Sequence, residues 1–217
     1  MSRWSYWIKS GCQNSLILFL ACLFYGIFMA TFSEHFSLNE TADTAYQYAT
    51  VFGSMILVIM NVTKIPFVAN TILSFGETRK NCVKGITLMN AITIILNSFV
   101  VTLFGMIAYR NIIVLFATLI IFPSISLIAN GLSILICSIN KALSNPAGGL
   151  QTVLMILALP FVAVLQLITS TNLVETMEYK STFIQVATVS SLILGLILTI
   201  VGTCLFKKRV MQLEVKL

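Results

Sequence analysis

Charged residues are scarce in this chain, and carboxylates are missing altogether from its long apolar stretches. Asp, Glu, Lys and Arg make up 9% of the 217 residues, and there is a single histidine. Carriers driven by protons or sodium commonly place ionisable groups near the middle of the membrane. Intramembrane enzymes need a nucleophile, a base or a metal set. These absences disfavour both classes, and they predict no catalytic residue, no metal site and no directly bound cofactor.

Familiar catalytic and nucleotide-binding motifs are absent as well. The sequence contains no P-loop, no G-x-S-x-G and no H-E-x-x-H motif. It has five cysteines, and none lies in a predicted external loop. Structural disulfides form in oxidising compartments, so none is predicted here.

Six long apolar stretches account for most of the chain, which is 58% hydrophobic with a mean hydropathy of +0.98. Each is close to or above the roughly 20 residues that an α-helix needs to cross a bilayer. The stretches cover residues 14–33, 48–70, 86–108, 112–136, 150–173 and 183–206. The sequence therefore predicts an all-α, polytopic membrane protein with six transmembrane helices in one domain, 1–217.

The basic residues are distributed unequally between the two ends of these helices. An orientation with both termini in the cytoplasm puts every Lys and Arg except Arg110 and Lys180 on or near the cytoplasmic side. Lys and Arg in short loops orient membrane helices in this way. The pattern predicts an N-in, C-in protein of the cell membrane, and it accounts for the net charge of +6 without a nucleic-acid partner.

The cytoplasmic loop 71–85, between the second and third spans, carries the clearest functional signal. It has a large apolar side chain, Phe75, among charged residues, and such exposed aromatic groups serve as anchors at docking surfaces. Its central residues are Ser74, Phe75, Gly76, Glu77, Thr78, Arg79 and Lys80. This central part is predicted as a short helix broken near Gly76.

The string Ser-Phe-Gly-x-Thr-Arg-Lys, followed by Lys-Gly at the start of the third span, resembles the first cytoplasmic loop of small type-2 ABC transporter permeases. These proteins are common in Firmicutes and include amphipathic-peptide exporters and bacteriocin-immunity subunits. The resemblance implies a type-2 ABC exporter transmembrane fold. It also implies that residues 74–80 couple the spans to a separate ABC ATPase, which would bind ATP and Mg, and that the chain pairs with a second copy or a paralogue.

Polar residues within the spans admit two interpretations. Asn90, Thr93 and Asn97 share one face of the third span, and Asn130 lies on a similar polar face of the fourth. Amide side chains turn away from lipid tails towards a partner helix or a wet cavity. These residues are therefore expected either to hydrogen-bond between helices or to line a translocation path.

Two further features of the spans concern packing and charge. Lys64 lies near the cytoplasmic end of the second span, with Pro66 beside it, and is expected to reach towards the membrane interface. Small residues recur every four positions in the last span, from Ser191 to Thr203, and predict close helix packing within the subunit or across a dimer.

The sequence as a whole favours the permease subunit of an ATP-driven exporter of hydrophobic or amphipathic cargo such as peptide, lipid or drug. Two alternatives stay open at this point. One is a non-transporting sensor or scaffold that uses the same loop to dock a cytoplasmic partner. The other is an ATP-independent channel, which the absence of charged pore rings disfavours.

Overall fold

The computed structural model describes residues 3–32, 37–74, 78–110, 112–139, 158 and 181–212. Over these ranges the chain forms long α-helices. The helices are α1 (Arg3–Ala30), α2 (Leu38–Ser74), α3 (Arg79–Tyr109), α4 (Ile112–Ile139) and α5 (Ser181–Met211). The predicted span 150–173 lies outside the described residues except for Ala158, which is helical.

All five of these helices are long and apolar enough to cross a membrane. The apolar windows average a hydropathy of 1.8 or more and lie within Trp4–Ala30, Thr41–Leu73, Arg79–Tyr109, Thr118–Ser138 and Val189–Met211. Such windows indicate a helical membrane protein, as the sequence predicted. Five of the six predicted spans therefore coincide with a described helix.

Several helices continue beyond the apolar stretches that revealed them. Helix α2 begins at Leu38 and has 37 residues, which at about 1.5 Å per residue is much longer than a bilayer core of about 30 Å. Residues 71–74 belong to α2, and α3 begins at Arg79. The helices leave only residues 75–78 between them, so most of the predicted loop 71–85 is helical.

Local residues define where α3 begins and ends. Thr78 is extended, and its side chain accepts a hydrogen bond from the backbone N–H of Asn81, 3.3 Å away, which makes it the N-cap. Arg110 follows the helix in the left-handed conformation, with φ 49°, and its N–H donates to the carbonyl of Met106. This reversal allows α4 to start at Ile112.

Helix α4 is the central helix of the bundle and the most buried of the five. It packs against α2, α3 and α5, and its side chains Phe122, Ile125 and Ile128 are almost completely buried. Pro123 lies inside α4 and Pro66 inside α2, and both helices continue through the proline. Pro160 lies outside the described residues.

Close packing of α5 on α4 depends on glycines. A Cβ on Gly131 would lie 2.7 Å from backbone atoms of Leu198 and Thr199, and one on Gly202 would lie 3.0 Å from the Gly131 carbonyl. The Thr199 hydroxyl donates to the Leu127 carbonyl at 3.0 Å. The small residues of the last span were predicted to pack either within the subunit or across a dimer. Gly195 and Thr199 pack within the subunit, against α4.

Helix α1 packs on α3 through its first half. The indole of Trp7 lies directly over Gly85, where any side chain would overlap it, and Trp7 is buried. About one turn further, the hydroxyl of Ser10 donates to the sulfur of Met89 at 3.3 Å. Because α1 is one continuous helix from Arg3, residues 3–13 extend the first predicted span towards the N-terminus.

Candidate functional site

Two parts of the bundle carry the residues that the sequence singled out. The first is the end where α1 begins, α2 ends and α3 begins, which we call the Arg79 end. The second is a group of buried asparagines on α2, α3 and α4, which we call the asparagine cluster and define as Asn61, Asn90 and Asn130.

The Arg79 end is held together by a contact between distant parts of the chain. The Arg79 guanidinium, in the first turn of α3, donates from Nη1 to the backbone carbonyl of Met211 at 2.9 Å. Met211 is the last residue of α5, where carbonyl groups have no partner within the helix. Lys208 and Arg209 also lie in this last turn, and cations are favourable near a helix C-terminus. Arg79 therefore links the α2–α3 connection to the end of α5.

The remaining residues of the predicted coupling segment are only partly described. Ser74 is the last residue of α2, Thr78 is the N-cap of α3, and Lys80 is exposed in its first turn. Phe75, Gly76 and Glu77, including the predicted aromatic anchor, lie outside the described residues. The described part of the segment is thus a helix start with exposed basic side chains.

In the asparagine cluster, one carbonyl oxygen joins three helices. Oδ1 of Asn130 on α4 accepts from Nδ2 of Asn90 on α3 at 2.8 Å and from Nδ2 of Asn61 on α2 at 3.1 Å. Nδ2 of Asn61 also donates to Oγ of Ser133 at 2.9 Å. All three asparagines are at most 3% exposed. Buried amides in an apolar bundle require such partners, because an unpaired one costs the free energy of its desolvation.

Not every polar residue of the third span joins this cluster. Thr93 faces α1 instead: its hydroxyl donates to the Met89 carbonyl at 2.9 Å, and its own carbonyl accepts from Ser15 at 3.4 Å. Asn97 is 1% exposed. Buried carbonyl oxygens of Asn90 and Asn97 have no hydrogen-bond partner among the described residues. Asn90 and Asn130 thus form the interhelical hydrogen bond that one interpretation predicted, and a translocation path stays a prediction.

Sequence reasoning left Asn61 out of the candidate set. Asn61 is not part of a repeated polar face within its own span. Its partners Asn130 and Ser133 are about 70 positions away. The one available signal was the occurrence of an amide in an apolar stretch, which by itself predicts an interhelical partner.

A second polar group lies at the opposite end of the bundle. The Tyr109 hydroxyl donates to Oδ1 of Asp43 at 2.5 Å, and Gln47 donates to the other carboxylate oxygen at 3.2 Å. Tyr46 packs edge-on against Tyr109 and hydrogen-bonds the Thr118 hydroxyl at 3.0 Å. These contacts connect α2, α3 and α4, and they are structural because each polar atom has a protein partner.

No group of histidine, cysteine and carboxylate side chains suited to a metal ion occurs within the described residues, and all five cysteines are free thiols. The arrangement provides a basic surface at one end and a buried cluster of amides, joined by hydrogen bonds, inside. No protein-family model, curated protein or solved structure matches this chain.

Proposed function

We propose that this chain is the transmembrane permease subunit of an ATP-driven ABC exporter. The observation that carries the proposal is the contact between Arg79 and the Met211 carbonyl. A partner that moves the α2–α3 connection would act on α2 and α3 directly and on α5 through Arg79. This is the mechanical arrangement that a coupling segment requires.

In this proposal the Arg79 end faces the cytoplasm and both termini lie there. The exposed basic residues at this end, among them Lys80, Lys84 and Lys208, agree with the positive-inside rule. ATP and Mg would bind to a separate ATPase, and residues 74–80 would be the segment that this ATPase contacts. A second copy or a paralogue would complete the permease, which would alternate between inward and outward states.

The proposed cargo is hydrophobic or amphipathic: a peptide, a lipid or a drug. The six predicted spans contain no Asp or Glu, so the interior offers amides and apolar surface but no fixed negative charge. An interior of this kind suits ligands that bury apolar area and form a few hydrogen bonds. Rearrangement of the asparagine cluster would expose amide groups to such a ligand.

The proposal is tested by recovering the tagged protein from its native membrane in mild detergent and identifying its companions by mass spectrometry. A stoichiometric P-loop ATPase is expected. The Arg79→Ala and Phe75→Ala variants should lose this ATPase, whereas Lys84→Ala, which removes an exposed basic residue one turn further along α3, should retain it. Recovery of the intact protein without any P-loop ATPase would contradict the proposal.

The alternative is a non-transporting membrane scaffold or sensor that docks a cytoplasmic partner. One observation favours it: the donors of the asparagine cluster are used in contacts between helices, which stabilises one closed arrangement of α2, α3 and α4. The two functions differ in a reconstituted complex. A permease would show ATPase activity that responds to amphipathic peptides or lipids, and a scaffold would not.

A further inference from the structure

Lys64 is the only charged residue in any of the six predicted spans. It lies in the second half of α2, is partly buried, and donates from Nζ to Oδ1 of Asn14 on α1 at 3.0 Å. An ammonium group has three donors and a full charge, and a neutral amide oxygen satisfies one donor without balancing the charge. Charges at membrane depth are generally paired, so this lysine requires a further partner.

A groove of about 650 Å³ opens beside Lys64 between α1 and α2. Its polar part is formed by Lys64 with Gln13, Asn14 and Thr63, and none of the described residues that line it is a carboxylate. Among the described lining residues, Lys64 is therefore the one charged group, and amide and hydroxyl groups surround it. This is the chemistry that recognises an anionic group such as a phosphate.

The rest of the groove is apolar and open to the surroundings of the bundle. Leu16 and Ile17 of α1 and Phe67 of α2 line it, and they are 55%, 47% and 66% exposed. Leu16 and Ile17 lie on the side of Asn14 that is further from the Arg79 end. A ligand with its anionic group at Lys64 would therefore place an apolar portion along Leu16 and Ile17, deeper in the membrane.

The depth of Lys64 matches a lipid headgroup. Nζ of Lys64 lies at Asn14, which is the first residue of the apolar stretch 14–33. Tyr6 and Lys9 precede Asn14 on α1 and are exposed, and aromatic and basic residues of this kind mark the membrane interface. The ammonium group therefore lies where the apolar stretch meets these interfacial residues, within reach of the phosphates of the nearer leaflet.

We propose that the groove between α1 and α2 binds one phospholipid with a net anionic headgroup, from the leaflet at the Arg79 end, with its phosphate at Lys64. The preference for a net negative headgroup follows from the charge of the residues that line the groove. A zwitterionic headgroup would bring its own ammonium next to Lys64, and the described residues that line the groove include no carboxylate to receive it. This site concerns the isolated chain and does not depend on the proposed ATPase partner.

The test is native mass spectrometry of the detergent-solubilised full chain titrated with phosphatidylglycerol or phosphatidylcholine. The first equivalent of phosphatidylglycerol should bind about tenfold more tightly, as one additional charge-assisted contact provides. Lys64→Gln should abolish this difference and Lys64→Arg should keep it. Lys84→Gln, which removes an exposed lysine outside the groove, should leave it unchanged.

The proposal is overturned if the unmodified protein binds the two lipids equally, which would indicate annular lipid only. It is also overturned if Lys64→Gln keeps the preference, or if inorganic phosphate displaces phosphatidylglycerol, which would mean that the headgroup alone is bound. The comparison of lipids on the unmodified protein decides the question even if Lys64→Gln does not fold. Loss of the ATPase in the pull-down would leave this result unaffected.

Discussion

Nδ2 of Asn90 lies 2.8 Å from Oδ1 of Asn130, and this hydrogen bond joins α3 to the central helix α4. The same oxygen accepts from Asn61, so Asn130 is the member of the asparagine cluster that hydrogen-bonds to both of the others. The apolar surfaces of membrane helices provide little directional preference, because lipid tails are as apolar as the side chains. A shared acceptor therefore determines how α2, α3 and α4 are aligned.

We expect Asn130→Ala to destabilise the bundle by about 1 kcal/mol more than Asn97→Ala, since interhelical hydrogen bonds in membranes are worth about 0.6 kcal/mol on average and Asn130 accepts two. Both residues are buried, so both changes leave a similar cavity. The carbonyl oxygen of Asn97 has no partner among the described residues, which makes it the matched control. SDS-induced unfolding followed by circular dichroism measures the difference, and equal losses would contradict the assigned role of Asn130.

The contact between Trp7 and Gly85 is tested by adding a single methyl group. Gly85→Ala places a Cβ inside the volume of the indole, so Trp7 must move, at a cost of about 1–3 kcal/mol for overpacking. The chain has two tryptophans, and Trp4 is 48% exposed. In a Trp4→Phe background the emission of Trp7 should shift to the red when Gly85→Ala is introduced.

A compensating change provides the control for this contact. Trp7→Leu removes the ring that a Cβ at position 85 would meet, so Gly85→Ala should cost much less stability in a Trp7→Leu background than in the unmodified protein. Equal costs in the two backgrounds would show that Gly85 is required for a reason other than the indole.

The sequence predicted helices well and their partners poorly, and physical reasons explain the difference. Hydropathy reports which residues prefer lipid, so it located the apolar parts of α1 to α5 but not the polar extension of α2 from Leu38, where Gln47 donates to Asp43 one turn earlier. The boundary between α3 and α4 was predicted closely, because Arg110 and Asn111 interrupt two apolar runs directly.

The sequence did not indicate which distant residues contact each other. Trp7 lies outside the predicted spans, and nothing near it in the chain indicates its contact with Gly85. The polar face of Asn90 and Asn97 was identified by its spacing, but spacing does not distinguish the residue that meets Asn130 from the one that does not. Arg79 was selected for docking, and its contact with Met211 depends on the return of α5.

The glycine contact between α4 and α5 predicts that a Gly→Ala substitution there destabilises the protein more than the same substitution elsewhere in the bundle. A Cβ on Gly131 would lie 2.7 Å from backbone atoms of α5, whereas one on Gly53 would meet only side-chain atoms, of Phe122 at 2.8 Å and 3.1 Å and of Leu18 at 3.4 Å. A side chain adjusts more readily than a backbone. We expect Gly131→Ala to cost about 1–3 kcal/mol and Gly53→Ala clearly less, measured by thermal unfolding in detergent. The reverse order would contradict the described packing of α5.

The turn between α3 and α4 offers a stabilising substitution. Arg110 has a φ of 49° and a ψ of 24°, a left-handed conformation that costs a residue with a Cβ about 1–2 kcal/mol. Glycine is the usual residue after a helix that ends in this way, because it adopts the conformation freely. Glycine also has greater conformational freedom in the unfolded chain, which offsets part of this gain. Arg110→Gly should therefore raise the unfolding free energy by about 1 kcal/mol.

Arg110→Ala separates the backbone effect from the effect of charge. Alanine removes the guanidinium but keeps a Cβ, so it has the same conformational cost as arginine at this position. Under the proposed orientation Arg110 lies at the external end of the bundle, where the loss of a positive charge also agrees with the positive-inside rule. If stability rises with Arg110→Gly alone, the left-handed turn is responsible; if both variants gain equally, the charge is responsible and the prediction is wrong.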